Sequence, residues 1–285
     1  MSLCFSSYYS VFSYTVSVNS LNDEFQLYIE ETPFFIYGMN WGYIPIGENY
    51  SYNLWDEDDA FIKQVLDTEM KQLQLMGVNA IRQFSIVPPY WVTYIYETYG
   101  IYTIINHLMG RYGFEVNGYY QSPINYQDPD TRQAIIADVK RIVTLYKDVP
   151  GVLFWLLGNE NNYGLEWTSF EIEALPTEAQ HKQRAVYLYT LFSDVIEAIK
   201  SIDQSHPVAI SNGDLFYLDL VKKYCPNLDI YGTNVYRGAT VGDLFQTVKE
   251  TLNVPVVFGE FGSDAFNAKL MKEDPVMQAF YLKYN

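Results

Sequence analysis

The sequence predicts an α/β fold, a TIM (β/α)8-type barrel that lacks its eighth β-α unit and carries a short β segment at its N-terminus. Three observations lead there. From residue 34 onward short apolar runs alternate with longer amphipathic stretches, the pattern of repeated β-α units on a parallel sheet. The run 151–157 has no polar side chain, as expected of a strand buried between a barrel interior and a helical layer. A chain of 285 residues, 49% hydrophobic, can bury one large core, and barrels of about 250 residues fold as single domains.

The elements follow in order. Residues 8–18 alternate in period two, and residues 24–30 resemble a strand before a turn at Glu31, Thr32 and Pro33. These read as antiparallel pieces outside the barrel, which divides the chain into an N-terminal β segment, 1–32, and a barrel domain, 33–285. Pro33 opens the first barrel strand, 34–41, and an acidic cap at 56–59 starts a helix that Gly77 stops after Met76. That acidic cluster complements a helix N-terminus better than it describes a calcium loop. A second strand covers 78–82, a Pro-opened segment 88–99, and a third strand 101–108. Asp128, Pro129 and Asp130 cap a helix whose apolar positions Ile135, Ile136, Val139, Ile142, Val143 and Leu145 keep helical spacing. Strand four, 151–157, is followed by a helix over 177–202. Strands five, six and seven fall at 207–211, 228–235 and 255–258, separated by helical stretches over 215–224 and 241–252, and a last helix covers 275–284. Seven strands are one short of a closed eight-stranded ring.

Composition narrows the function. A net charge of −16 repels a phosphate backbone, so nucleic acid is not an expected partner. Aromatic residues make up 17% of the chain, with 27 Tyr and 5 Trp; such rings suit a sugar cleft, and equally a Tyr-rich core and surface. Cys4 and Cys225 form no disulfide framework. No stretch reaches the roughly 18 apolar residues of a membrane span, and residues 1–10 lack a basic start followed by an apolar run, so no membrane partner is expected and the compartment stays open. His107, His181 and His206 are scattered, which argues against zinc, and there is no nucleophile elbow, Walker loop or dinucleotide turn; neither metal nor cofactor is expected.

In a parallel barrel, reacting groups sit where the strands end at the common mouth. The fourth strand ends in Gly158-Asn159-Glu160 and the seventh in Gly259-Glu260-Phe261-Gly262, each setting a carboxylate directly after an apolar run. Strands four and seven lie on opposite sides of the ring, so the two carboxylates can face each other across the mouth. Cleavage of a glycosidic bond needs such a pair, one to protonate the departing oxygen and one to attack the sugar carbon or activate water. The alternative is two unrelated solvated glutamates. Glu166, Asp214 and Asp264 are rival carboxylates that lie deeper in loops, where position is less fixed.

Phe154-Trp155-Leu156-Leu157-Gly158-Asn159-Glu160 and Val257-Phe258-Gly259-Glu260-Phe261-Gly262 resemble the acid/base and nucleophile strands of clan A glycoside hydrolases, closest to the barrel domain of glycoside hydrolase family 2. Residues 34–41 are similar to that family's first barrel strand, Asn234-Val235-Tyr236-Arg237-Gly238 to its sixth, and residues 8–18 to the closing strand of its preceding β-sandwich. The resemblance implies a retaining hydrolase of β-linked oligo- or polysaccharides, with Glu160 as general acid/base and Glu260 as nucleophile. It implies that Asn159 bonds the sugar 2-hydroxyl, that Arg82 and Tyr236 hold the nucleophile, and that Asn234 belongs with the substrate-binding set. Arg82 as a rim ion pair and Tyr236 as a core ring are the alternatives. His107, ending strand three, is a further candidate for substrate contact or for a structural hydrogen bond; Trp41 and Trp91 are candidates for sugar stacking or for core packing. Two other readings remain at this stage: a transglycosidase using the same glutamates, and a catalytically weak glycan-binding barrel. The absent eighth strand adds an expectation of its own, that the open edge is closed by another segment or by a second copy of the chain.

Overall fold

The structure, a computed structural model, describes residues 14–21 and 24–284. Residues 8–13 of the period-two segment lie outside the described residues. The described residues open with a three-stranded antiparallel sheet, β1 (Val16–Leu21), β2 (Glu24–Ile29) and β3 (Thr32–Phe34), in the order β1-β2-β3. The barrel follows as β4 (Gly38–Asn40), α1 (Asp59–Leu75), β5 (Ala80–Arg82), α2 (Pro89–Tyr99) and β6 (Tyr102–His107). A hairpin, β7 (Phe114–Val116) and β8 (Tyr119–Gln121), precedes α3 (Pro129–Tyr146) and β9 (Val152–Leu157). Then come α4 (Phe170–Glu173), α5 (Thr177–Lys200), β10 (Val208–Gly213), α6 (Leu218–Tyr224), β11 (Ile230–Val235), α7 (Leu244–Thr251) and β12 (Val256–Phe261). A small hairpin, β13 (Phe266–Asn267) and β14 (Lys272–Glu273), leads into α8 (Pro275–Tyr284).

Seven parallel strands form one sheet in the order β12-β11-β10-β9-β6-β5-β4, an α/β barrel of the TIM type that is nearly closed. Helix starts match the caps read in the sequence. The Asp58 carboxylate accepts from the Phe61 N–H at the head of α1, and Asp128 accepts from the Thr131 N–H at the head of α3. Apolar side chains divide between two layers because successive strand residues point to opposite faces. Ile81, Ile105, Trp155, Leu157 and Ile210 pack outward against the helices, while Ala80, Ile104, Leu156, Ala209 and Ile230 fill the interior.

The antiparallel sheet closes the bottom of that interior. Val16, Val18, Leu27, Ile29 and Phe34 join the interior cluster, and the Tyr14 hydroxyl donates to the Val152 carbonyl (2.6 Å) while accepting from the Gly151 N–H (2.9 Å). Two expectations change here. Thr32 and Pro33, expected in a turn with Glu31, pair with β2, and the first barrel strand shortens from 34–41 to Gly38–Asn40, with Phe34 in the antiparallel sheet instead. In that sheet the Phe34 ring packs edge-on against Tyr102 at the barrel floor. Strands β10 and β12 also run past their apolar runs to Gly213 and Phe261, since the ladder is made by backbone groups and tolerates polar side chains that face the mouth.

The sheet has two edges, β4 and β12. All three residues of β4 are exposed, whereas every residue of β9 is buried. The edges are tied by side chains reaching across: Asn40 Nδ2 donates to the Gly259 carbonyl at 3.0 Å, and Arg82 Nη1 donates to the same oxygen at 3.1 Å.

Candidate active site

The mouth is built from strand ends whose backbone geometry aims the side chains. At the end of β9, Glu160 takes a left-handed conformation (φ 55°), uncommon for a residue with a side chain. It is held by its own N–H donating to the Ser211 carbonyl (2.9 Å), while Asn161 Oδ1 accepts from the preceding Asn159 N–H (2.8 Å). In β12 the register with β11 shifts between Thr233 and Asn234, so Gly259 is an extra residue on the β12 side. Such a bulge re-aims the side chain that follows it, here Glu260. A Cβ on Gly259 would lie 2.7 Å from Asn234 Oδ1 and 3.2 Å from Arg82 Nη1, so a side chain there would displace the Asn234 amide.

Arg82 links these strand ends. Its buried guanidinium donates from Nε to Asn106 Oδ1 (2.9 Å), from Nη1 to Glu260 Oε1 (3.2 Å) and the Gly259 carbonyl, and from Nη2 to Asn159 Oδ1 (2.9 Å). Burial lowers its pKa from the usual arginine value, opposed by the Glu260 charge. The other Glu260 oxygen accepts from the Tyr236 hydroxyl at 2.9 Å; desolvation and then the Glu260 carboxylate push that phenol up to about 12, so it stays a donor at neutral pH. Asn234 joins the two halves, since its Nδ2 lies 3.1 Å from Asn159 Oδ1 and 3.2 Å from Glu160 Oε1. Glu160, Asn159, Asn234, Arg82, Glu260 and Tyr236 therefore form one continuous hydrogen-bonded group spanning β5, β9, β11 and β12.

The remaining candidates lie elsewhere. His107 faces the helical layer, the opposite side from its neighbour Asn106: its Nε2 is 3.2 Å from Asp138 on α3, and its Nδ1 accepts from the Met109 N–H. Both ring nitrogens are occupied by structural partners, which sets His107 apart from the carboxylates. Trp41 and Trp91 are buried in the outer core, Trp41 against Trp55 and Trp91 within α2, so neither ring offers a face to a sugar. Among the rival carboxylates, Asp214 is paired with Arg237. Asn106, Ser211 and Tyr112 belong to the site without having been singled out in the sequence: Asn106 and Ser211 accept from or donate to Arg82 and Asn234, and Asn159 Nδ2 donates to the Tyr112 hydroxyl at 2.8 Å. Period-two alternation along β6 marks Asn106 as inward, next but one to Ile104. Tyr112 sits in a loop, where no periodicity points to it.

Comparison with known proteins agrees with this architecture. The family model for glycosyl hydrolases family 2, TIM barrel domain, matches residues 56–284. No curated protein matches the chain. Among solved structures, a β-glucuronidase from Ruminococcus gnavus is similar at 21% identity and a TM-score of 0.60, over 95% of this chain and 43% of that one. A β-glucuronidase from Bacteroides uniformis is similar at 14% identity and a TM-score of 0.66, over 94% of this chain and 30% of that one. The chain thus spans less than half the length of either, and at these identities the likeness speaks for the fold alone. The family match covers most of the sequence and every strand from β5 to β12, and on that ground the chain belongs to glycosyl hydrolases family 2, as its TIM barrel domain.

Proposed function

We propose that this barrel is a retaining β-glycosidase in which Glu260 is the nucleophile and Glu160 the general acid/base. The observation that carries the reading is the unequal treatment of two carboxylates in one network. Both Glu260 oxygens are fixed by strong donors, a guanidinium and a phenol, whereas Glu160 is met by the neutral Asn234 amide. A nucleophile needs an exact position and an acid/base needs freedom to exchange a proton. In the first step a Glu260 oxygen forms a bond to the anomeric carbon as the glycosidic C–O bond breaks; the bond pair stays on the leaving oxygen, which takes the Glu160 proton. Water then attacks the same carbon, Glu160 takes its proton, and Glu260 departs as a carboxylate. Asn159, with its Oδ1 held by Arg82 and Asn234, is placed to contact a hydroxyl beside the reacting carbon.

The substrate of this reading is a β-linked oligo- or polysaccharide. β-Glucuronides belong in the first screen because the similar solved structures are β-glucuronidases. A panel of nitrophenyl β-glycosides, run beside Glu260→Gln, tests it: turnover of at least one member that the variant abolishes is expected, and turnover surviving in the variant removes Glu260 from the chemistry. Product analysis with added oligosaccharide separates hydrolysis from transfer. The exposed edge, with Phe35 and Tyr37 beside β4 and Phe261 ending β12, supports association with a second copy there. Sedimentation velocity over a range of concentrations tests this, and a monomer throughout would remove it.

A further inference from the structure

On the Glu160 side of the mouth lies a pocket of about 380 Å³ lined by Tyr163, Asp214, Leu215, Phe216 and Arg237. Its lining is tied to the backbone beside the two site residues, since the Tyr163 N–H donates to the Glu160 carbonyl (3.0 Å) and the Asp214 N–H to the Asn234 carbonyl (3.1 Å), and the Glu160 charge reaches the Tyr163 phenol. Its walls are rigidly held. A Cβ on Gly213 would lie 2.1 Å from Tyr163 Cε2, so the Tyr163 ring rests flat on bare backbone. Asp214 is left-handed (φ 45°), a strained conformation kept in place by the Tyr231 hydroxyl and Asn212 Nδ2, both of which donate to its carbonyl. Its carboxylate accepts from Arg237 through Nε and Nη2 and from the Leu215 N–H, and Arg237 Nη1 donates to the Val241 carbonyl. Against this polar wall, residues Tyr163 and Phe216 remain 50% and 51% exposed, and their rings are inclined by 30° with centroids 6.3 Å apart. They form an apolar floor open to solvent.

We propose that this pocket is the leaving-group subsite and that it takes a neutral pyranose ring, so that the preferred substrate is an oligosaccharide cleaved between two sugars. The proposal rests on the β-glycosidase reading. Glu160 has to reach the glycosidic oxygen, and the group beyond that oxygen therefore lies on the Glu160 side. Aromatic faces stack on pyranose C–H groups, while Asp214 keeps lone pairs and Arg237 keeps N–H groups for hydroxyls. The ion pair neutralises the Arg237 charge, Glu160 lies alongside and the whole chain carries a net charge of −16, so an acidic ring is disfavoured.

The test compares two leaving groups on one donor sugar. β-Glycosyl fluorides of glucose, galactose, mannose and glucuronic acid release fluoride, which leaves the pocket empty; the matching disaccharides release glucose, which fills it. For Phe216→Ala and Arg237→Met, the ratio of kcat/KM on disaccharide to kcat/KM on fluoride is expected to fall about tenfold or more. Fluoride turnover by each variant also reports that it is folded. An unchanged ratio in both variants would overturn the subsite while leaving the glycosidase reading intact. A disaccharide releasing glucuronic acid that is cleaved faster than its glucose counterpart would overturn the neutral ring. Failure of the unaltered chain to cleave any fluoride would instead sink the glycosidase reading, and this inference with it.

Discussion

Arg82 offers one planar fork to four acceptors: Asn106, Asn159, Glu260 and the Gly259 carbonyl. A lysine has three donors on a flexible stem and cannot reproduce that plane. Arg82→Lys is therefore expected to lower kcat by roughly 100-fold or more in assays on whichever nitrophenyl glycoside is turned over, and Tyr236→Phe, which removes one exposed donor from Glu260, by about tenfold. Loss of KM alone in either variant would mean that the groups bind substrate and do not hold the nucleophile. The two glutamates are told apart by azide rescue: Glu260→Gly should yield an α-glycosyl azide and Glu160→Ala a β-glycosyl azide, with swapped anomers reversing the roles. At this scale the sequence showed the residues whose strand ends are marked by a charge after an apolar run, Glu160 and Glu260, and through resemblance their partners. At His107 and Trp41 it left two readings open, and their packing favours the structural one. Both occupy strand ends in the sequence, but which face they take is fixed by register: His107 lies one residue past the inward Asn106 and so meets Asp138, and Trp41 folds back against Trp55.

Between residue and strand the decisive feature is the Gly259 bulge in β12, which no pattern of apolar residues announces. Gly259→Ala would force Asn234 and Arg82 apart, and activity is expected to fall about 100-fold or more with only a modest loss of stability, measured by parallel kinetics and thermal melts. Stability lies at the other end of the strands. Behind β9, Trp155 Nε1 donates to Asp203 Oδ2 (2.7 Å), His206 Nδ1 lies 2.8 Å from the same oxygen, and the Ser205 N–H donates to Asp203 Oδ1 (2.8 Å). Burial pushes the Asp203 carboxyl up, but these partners outweigh it and hold it below the usual carboxylate value. A carboxyl lowered in the folded state contributes stability that is present above its unfolded pKa of about 3.9 and is lost as pH falls through the folded value. Asp203→Asn should therefore cost about 3 kcal/mol at pH 7 in denaturant titrations, and the difference from the unaltered chain should shrink below about pH 4. A difference that stays constant with pH would show that shape, and not charge, accounts for the loss. The helices around this frame were legible from their caps and spacing, whereas the hairpin of β7 and β8 was not, being three residues a strand and too short for a period-two pattern to stand out.

For the molecule as a whole, seven strands and a plugged floor leave one seam, between β4 and β12. The seam was legible as a strand count, but the way it is bridged was not, because it depends on side chains from residues distant in sequence. Asn40 and Arg82 both donate to the Gly259 carbonyl, and that carbonyl belongs to the residue before Glu260, the proposed nucleophile. The two donors have different tasks. Arg82 is buried and also contacts Glu260, while Asn40 is exposed and acts on β12 through its backbone alone. Removing an exposed hydrogen bond costs about 1 kcal/mol or less, a few degrees at most in melting temperature for a chain of this size. Yet a displacement of about 1 Å at Glu260 can lower the rate about 100-fold. Asn40→Ala is therefore expected to melt within a few degrees of the unaltered chain while its kcat falls at least tenfold and KM changes little. Asn40→Asp, which removes the donor while keeping the size, should behave in the same way. A full kcat in both variants would show that β12 holds Glu260 in place without the seam, and that Arg82 alone is enough to fix the nucleophile.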